Sequence, residues 1–454
     1  MRDIFMFLVV MALVFASFAR PWLMTLTYLY IDLIQPQRLS YYLFRGVPIS
    51  LVVAIAAVAL FMTDKKKNLR VNVVQLLMAL FVIWFTITSE RALIQDSLVW
   101  FKWDAAWKSV LFGGVFLPLV LATRRRIEAA MAITVLCVGL VTVDGALKTL
   151  AGGGGYEQLK MIVVSNNGLY ESSTISAVGV AIIPLILYLF DHSPLVGKTV
   201  WTRIAALGLC ASSVLIVIGT EARTGLVCFA ALAGMMLLRS KRKPLFALAL
   251  VIAAAVTIPV LPDSFKTRML TIVAPNEEGS AATRTSIWGW TLKFAKQYPL
   301  GGGFRVNRLN KIAFDTPVRD GTGAIVRYQH HVDKARAFHS AYFEVLAEQG
   351  WPGLILYLSI LIGTLIQLGA MMRKYRKADP EERWKHDLAQ AIYRAIMIFM
   401  VGGAFTGIAY QTMLYMLVAI GIAHLQVNAS RGEIARRTTR VPFVRASTPA
   451  LANA

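Results

Sequence analysis

A succession of long apolar runs, separated by short charged clusters, constrains this chain more than any other feature of its sequence. Most runs span roughly 17–22 residues, about the length that a helix needs to cross the ~30 Å hydrocarbon core of a bilayer. Charged residues make up only 16% of the chain, and its mean hydropathy is +0.60. The runs alternate poorly at period 2, which argues against a transmembrane β-barrel. We therefore expect an all-α integral membrane protein.

Thirteen segments are candidates for membrane helices. They are 4–19, 22–35, 46–62, 72–88, 108–122, 128–148, 174–190, 204–220, 224–238, 244–262, 341–371, 390–407 and 409–426. Thirteen crossings would leave the two ends of the chain on opposite sides of the membrane. Because Arg20-Pro21 interrupts the first stretch, we interpret 4–35 as one broken or re-entrant element. This interpretation gives about twelve crossings, with both ends inside.

Four basic clusters separate the apolar runs and contribute to the net charge of +22; they lie at 65–67, 124–126, 239–243 and 373–377. Positive residues in short loops mark the cytoplasmic side. With these clusters inside, five stretches face the other side: 89–107, 149–173, 221–223, 263–338 and the turn near 408. No cluster is interleaved with aromatic residues on a soluble domain, so we expect no nucleic-acid partner.

The stretch 263–338 is the only long hydrophilic loop in the sequence. It separates two parts of a membrane region at 204–426, which follows an N-terminal transmembrane region (1–203) and precedes a basic cytoplasmic tail (427–454). The loop holds twelve Lys or Arg and six Asp or Glu. Loops longer than about 60 residues escape the positive-inside rule, and the net charge of +6 suggests an anionic substrate.

Within this loop, Ala282 to Tyr298 has apolar residues at helical spacing, including two tryptophans with lysines nearby. This pattern predicts an amphipathic helix that favours the membrane interface. Pro299 to Gly303 would end the helix in a flexible turn. We expect the segment 304–336 to be irregular.

The predicted topology brings Arg223, Arg284 and His339 to one face. Each residue alone has a plain structural explanation: Arg223 could pair with Glu221 or reach lipid headgroups, Arg284 could be a helix-surface cation, and His339 could be a boundary histidine. Together, guanidinium groups bind a pyrophosphate through paired hydrogen bonds, and a histidine can take a proton from a hydroxyl. The sequence has no Asp-rich motif or His/Cys cluster beside them, so we expect metal-independent chemistry without a cofactor.

Three sequence elements resemble the O-antigen ligase and polymerase superfamily. The segment 338–342, followed by 346–354, resembles the family's His-Asn-x-Tyr-Leu … Glu-x-Gly-x-Pro-Gly signature. The turn at 223–225 is similar to its Ser-Arg-Thr/Gly-Gly turn, and 284–303 is similar to its Arg-x-x-x-Trp … Pro-Leu-x-Gly-x-Gly element. The order of these elements around one large loop agrees as well. The chain departs from the family pattern at Ser340, where Asn is usual, and at Ala222, where Ser or Thr is usual.

The N-terminal half is similar to a narrower group, the O-glycosylation ligases associated with exosortase A. The similarity rests on short matches at Met1 to Asp3, Arg20-Pro21, Pro36 to Tyr41, Lys102-Trp103 and the glycines 152–155. Glu171-Ser172-Ser173 stands where this group has Asp-Asn-Asn, which puts one polar contact to the substrate in doubt.

The resemblance implies a GT-C-like glycosyltransferase of the bacterial inner membrane, with its active site on the periplasmic face. Such an enzyme transfers a glycan from undecaprenyl diphosphate to a hydroxyl of the lipid A core or of a protein, by direct inverting attack. His339 would orient or deprotonate the acceptor, and Arg223 and Arg284 would hold the diphosphate. Further candidates for substrate binding are Arg268, Arg305, Arg336, Gly225, Trp288 and Tyr342. Glu348 would lie about two and a half helical turns beyond His339, so we expect no contact between them.

Two alternative functions remain open from the sequence. A polymerase that adds repeat units to a growing polysaccharide would use the same chemistry and the same motifs. A transporter or flippase for an anionic lipid would also present a basic cavity, although such proteins often carry inverted repeats and none is evident in this sequence.

Overall fold

The structure is a computed structural model that describes residues 2–40, 42–44, 46–155, 159, 168–261, 263–270, 279–319 and 325–439. Its helices are α1 (Arg2–Ala19), α2 (Leu23–Ile34), α3 (Pro36–Leu39), α4 (Ile49–Thr63), α5 (Val73–Glu90), α6 (Ser97–Trp107), α7 (Leu117–Val120), α8 (Arg124–Leu150), α9 (Ser172–His192), α10 (Val200–Gly219), α11 (Arg223–Arg239), α12 (Lys243–Val260), α13 (Asp263–Leu270), α14 (Gly279–Gln297), α15 (Ala341–Tyr375), α16 (Arg383–Gly403) and α17 (Thr412–Thr439). A π-helical segment, Lys108–Phe116, links α6 to α7.

Every one of the thirteen candidate segments coincides with helical structure. By length and composition, six helices among the described residues are able to cross a membrane: Val73–Glu90, Arg124–Leu150, Ser172–His192, Val200–Gly219, Ala341–Tyr375 and Thr412–Ala429. Shorter apolar helices lie at Asp3–Ala19, Leu23–Ile34, Ile49–Thr63 and Lys243–Ile252. The protein is therefore a mostly helical, multi-pass membrane protein, and the number of about twelve crossings stays a prediction.

Helix α9 forms the centre of the bundle. Of the residues in its apolar window 89% are buried, against 28% for α10 and 33% for α15. It packs against α8, α10, α11 and α16, and small residues allow these close approaches, as where Gly402 of α16 lies against Ala177. The less buried α10 and α15 expose aliphatic side chains such as Leu207 and Ile362, which suits helices that face lipid.

The first apolar stretch is broken where the sequence predicts it. Helix α1 ends at Ala19, α2 begins at Leu23, and the two helices pack against each other. Pro21 lies in the turn between them, because its ring cannot be accommodated in a helix interior. Whether this pair enters and leaves on one side of the membrane stays a prediction.

The long loop contains the predicted helix and an unexpected hairpin. The predicted helix is confirmed as α14 and its place at the membrane interface stays a prediction, whereas our prediction of an irregular 304–336 is wrong. Strands β1 (Lys311–Arg319) and β2 (Ile325–Lys334) form an antiparallel pair that packs on α14. Ile312 of β1 and Phe338 join Ile287 and Phe294 of α14 in a small separate core. The apolar face of α14 is thus partly buried against the hairpin, and the part of the chain that the structure describes is helical except for these two strands and the connecting segments.

Candidate functional site

A polar cavity of about 220 Å³ opens at the end of the bundle where α15 begins. Its lining residues are Lys102, Glu171, Arg305, Asn307, Ala337, Phe338, His339, Glu344, Glu348, Thr406 and Gly407. Apart from His339, which directly follows the stretch 263–338, and the two glutamates of α15, they come from four of the five stretches that the basic clusters assign to one face (89–107, 149–173, 263–338 and the turn near 408). The convergence agrees with the topology predicted from the sequence.

The wall of the cavity depends on a break in the hydrogen bonding of α15. Pro352 has no backbone N–H, so the carbonyl of Glu348 lacks its helical donor. The N–H of Trp351 turns away and donates to the carbonyl of Pro299, which frees the carbonyl of Ala347 as well. Two N–H groups of the glycine loop (299–303) donate to these two carbonyls, each over 2.9 Å. The break is therefore fully satisfied, as buried backbone groups require.

Two glycines make this contact possible. Gly350 has φ 67° and ψ −170°, a conformation that only glycine adopts readily. Gly301 of the glycine loop has φ 90°, and a Cβ on either glycine would lie closer than 3.0 Å to backbone atoms of the other segment. The turn that we predicted as flexible is thus hydrogen-bonded to α15, and the two halves of the resemblance, Pro-Leu-x-Gly and Glu-x-Gly-x-Pro-Gly, contact each other directly.

Glu348, whose carbonyl takes part in this break, has a side chain that is only 1% exposed. Its carboxylate accepts hydrogen bonds from Nζ of Lys102 at 2.7 and 2.9 Å and from the backbone N–H of Arg305 at 3.0 Å. Lys102 also donates to Glu344 at 2.7 Å and lies over the ring of Phe304. Lys102 therefore forms ion pairs with two carboxylates at the cavity wall, where burial weakens the screening of charge by water.

His339 lies at the mouth of the cavity in a left-handed conformation, with φ 50°. The preceding carbonyl, of Phe338, accepts a hydrogen bond from Nε1 of Trp288 at 3.0 Å, and the Trp288 ring stacks on Phe343. Burial, followed by the positive charges of Arg284 and Arg336, lowers the pKa of His339 to about 4. The imidazole is therefore neutral at physiological pH and can accept a proton.

The structure brings some of the predicted arginines together around His339. Arg284 and Arg336 lie close enough to influence its charge, and Arg336 also pairs with Asp333 at 2.7 Å. Arg305 lines the cavity, and within the described part of the chain its buried Nε has no hydrogen-bond partner. All three arginines belong to the stretch 263–338, and they place positive charge beside His339 or on the cavity that it lines.

Other predicted site residues lie elsewhere. Arg223 begins α11 and does not line the cavity among the described residues, although the next residue, Thr224, packs near Gly402 at the end of α16. Gly225 is buried, and a Cβ there would lie 2.7 Å from Cβ of Ser176. Arg268 lies in α13, with its side chain outside the described part.

The two aromatic candidates have structural contacts. Tyr342 donates its hydroxyl to the carbonyl of Met400 at 2.8 Å, which joins α15 to α16. Trp288 donates its indole N–H to the carbonyl of Phe338, the residue that precedes His339. Both side chains therefore hold parts of the site in place: Tyr342 fixes the start of α15, and Trp288 fixes the residue before His339.

Sequence reasoning missed the acidic part of the cavity. Lys102, Glu344 and Glu348 form its paired wall, and Glu171 accepts hydrogen bonds from Thr174 at 2.6 Å and Thr406 at 3.2 Å. Lys102, in the tryptophan-rich segment 100–107, was the sequence signal that could have indicated these acidic partners, because a charge in such apolar surroundings needs a counter-charge.

Glu348 and His339 both line the cavity, and the expectation that they make no contact with each other stays a prediction. His339 precedes α15, which begins at Ala341, in a left-handed turn. Within the described ranges, no group of three or more His, Cys, Asp or Glu side chains is arranged to hold a metal ion.

Comparison with known proteins gives two family matches. Residues 1–194 match a family of unknown function, and residues 205–358 match the O-antigen ligase family. No match is found among curated proteins. The second match spans Arg223, α14, His339 and the break at Gly350, which carry the resemblance, and it also includes the hairpin. The match at residues 205–358 thus supports the O-antigen ligase and polymerase superfamily, which the sequence motifs resemble.

Proposed function

We propose that this protein is a membrane glycosyltransferase that transfers a glycan en bloc from undecaprenyl diphosphate to an acceptor hydroxyl, without a metal ion. The observation that carries the proposal is a neutral His339 beside several cations at the mouth of a polar cavity. This combination offers a base for the acceptor and positive charge for a leaving diphosphate. We further propose that the cavity opens on the periplasmic face of a bacterial inner membrane.

The reaction would be a single inverting displacement. The acceptor oxygen bonds to the anomeric carbon, the bond from that carbon to the diphosphate oxygen breaks, and the hydroxyl proton moves to His339. Arg284 and Arg305, and Arg223 from the neighbouring helix end, would stabilise the charge that collects on the diphosphate. Arg336 would assist from the loop, and the ion-paired Glu348 would hold the backbone of Arg305 in place.

The test is glycan transfer by purified full-length protein supplied with a lipid-diphosphate glycan and an acceptor. His339→Gln should lower the rate by about 100-fold or more, which is typical for loss of a general base. His330→Gln is the matched control, because His330 lies in the same loop on the hairpin, 64% exposed and paired with Asp315. Undiminished transfer by the His339 variant would refute the assignment of the base.

The same protein could act as a ligase or as a polymerase, and the resemblance of the N-terminal half favours the ligase. Deletion in the producing cell distinguishes the two. Long lipid-linked chains without an acceptor would indicate a ligase of lipid A core or protein, whereas single lipid-linked repeat units would indicate a polymerase. Movement of lipid-linked glycan across vesicles without transfer would indicate a transporter instead.

A further inference from the structure

A second charged groove lies at the opposite end of α15, roughly 50 Å of helix from His339. Two adjoining cavities of about 870 and 560 Å³ form it between the C-terminal ends of α11 and α15 and the start of α16. Arg239, Arg376 and His386 line both cavities, which makes them one continuous surface feature. The mechanism proposed above uses none of these residues.

One part of this groove is strongly cationic. Its basic lining residues are Arg239, Lys241, Arg373, Arg376, Arg383 and Arg394. The one carboxylate among the lining residues is Asp387, which is already engaged by His192 at 3.2 Å and His386 at 2.8 Å, with Nε of Arg383 at 3.8 Å. Six fixed positive charges thus face a single occupied carboxylate, an arrangement that favours an anion with several oxygen acceptors.

The other part of the groove is apolar. Leu238, Leu365 and Ile366 line it, and Ile366 is 62% exposed. Gly369 of α15 lies on this lining, and a Cβ at that position would meet no atom within 4 Å. The apolar strip therefore continues from the arginines along the membrane-facing side of α15 and has room for a hydrocarbon chain.

We propose that this groove binds one anionic phospholipid of the surrounding bilayer. The phosphate lies among the arginines, and an acyl chain follows the strip along Leu365, Ile366 and Gly369. A free phosphate ion would account for the cationic part but would gain nothing from the apolar part. Basic residues at the cytoplasmic surface attract anionic lipids, and this end of the bundle carries the basic clusters that predict the cytoplasmic side.

Native mass spectrometry of the purified full-length protein tests the proposal, with added phosphatidylglycerol, phosphatidylcholine or inorganic phosphate as probes. We expect one phosphatidylglycerol to be retained at concentrations at which phosphatidylcholine is not. The double variant Arg239→Gln/Arg376→Gln should weaken this retention roughly tenfold or more. The double variant Lys374→Gln/Lys377→Gln is the charge-matched control at the same helix end, since neither lysine lines either cavity, and it should retain the lipid.

A second variant separates the lipid from a free anion. Gly369→Leu fills the apolar strip without changing charge and should lower lipid retention, whereas Gly208→Leu, at another exposed helical glycine with open space, should not. Equal retention of the two lipids, or parental retention by the double variant Arg239→Gln/Arg376→Gln, would overturn the proposal. Release of the lipid by millimolar phosphate, together with full retention by Gly369→Leu, would assign the groove to a free phosphate ion and would also overturn it.

Discussion

Replacing Gly350 with alanine tests how the cavity is built. A Cβ at this position would lie closer than 3.0 Å to three backbone atoms of the glycine loop, which are the carbonyl oxygen of Pro299, the carbonyl carbon of Leu300 and the nitrogen of Gly301. Backbone atoms cannot rotate away as a flexible side chain would. The substitution therefore forces either a strained contact or separation of the loop from α15.

Both outcomes cost free energy of a similar size. A non-glycine residue with the observed φ and ψ is strained by about 1–3 kcal/mol before the overlap is counted. Separation instead breaks the three hydrogen bonds between the glycine loop and residues 347, 348 and 351, each contributing roughly 1 kcal/mol. We expect the free energy of unfolding to fall by about 3 kcal/mol, which lowers the melting temperature of a chain of this length by roughly 3 °C.

The assay is thermal unfolding of the purified protein in detergent, followed by glycan transfer at a temperature at which the variant is folded. Gly369→Ala is the matched control, since the same substitution in the same helix meets open space. It should leave the melting temperature unchanged or slightly higher, because alanine is favoured over glycine in a helix. Transfer by Gly350→Ala should also fall, because the loop and the adjacent glutamate are displaced. Equal melting of the parent, Gly350→Ala and Gly369→Ala would refute the reasoning.

Three further substitutions have clear expected outcomes. Arg336→Gln removes a positive charge near His339 and should raise its pKa, which moves the acid limb of the kcat/KM profile to higher pH; an unmoved limb would contradict the proposed electrostatic effect. Lys102→Met leaves the two glutamates of α15 without their cation and should destabilise the fold by about 3 kcal/mol. An unchanged melting temperature would contradict a stabilising role for this ion pair. Gly225→Ala should lower the free energy of unfolding by about 1–3 kcal/mol, because its Cβ would contact Ser176, and an unchanged stability would leave that glycine free for a substrate role.

The helices were predictable because hydrophobic length is a strong and local signal. The shared face of the cavity was also predictable, since the positive-inside rule needs only the four basic clusters. Neither signal depends on which side chains meet. The hairpin was missed although Ile312 and Phe314 alternate with exposed neighbours, because the alternating run is short and Pro317 lies within it. The Asp320-Gly321 pair between its two strands was a turn signal that could have indicated it.

The contact between Gly301 and Gly350 could not be deduced from either motif alone. A glycine in sequence says that a special backbone conformation or a close approach is present, but it does not name the partner. Pro352 predicts a freed carbonyl in α15, and the glycine loop offers free donors, yet only the fold joins them across about 50 residues of sequence. The ion pairs of Lys102 depend in the same way on helices that are distant in sequence.

The arginines around His339 would help to bind the diphosphate, but they also lower the pKa of the histidine and so weaken it as a base. Binding of the donor would offset the second effect. In the free protein, Arg284 and Arg336 help to keep the pKa of His339 at about 4, which makes it a weak base. A bound diphosphate would bring negative charge to the same arginines, offset their effect and raise the pKa of the imidazole. The acid limb of kcat, which reports the donor-bound protein, should therefore lie at higher pH than the acid limb of kcat/KM for the donor, which reports the free protein. Coincident limbs would mean that the diphosphate does not bind beside His339. A shift between them would mean that the donor itself strengthens the base, so that the acceptor is activated only when a glycan is in place to receive it.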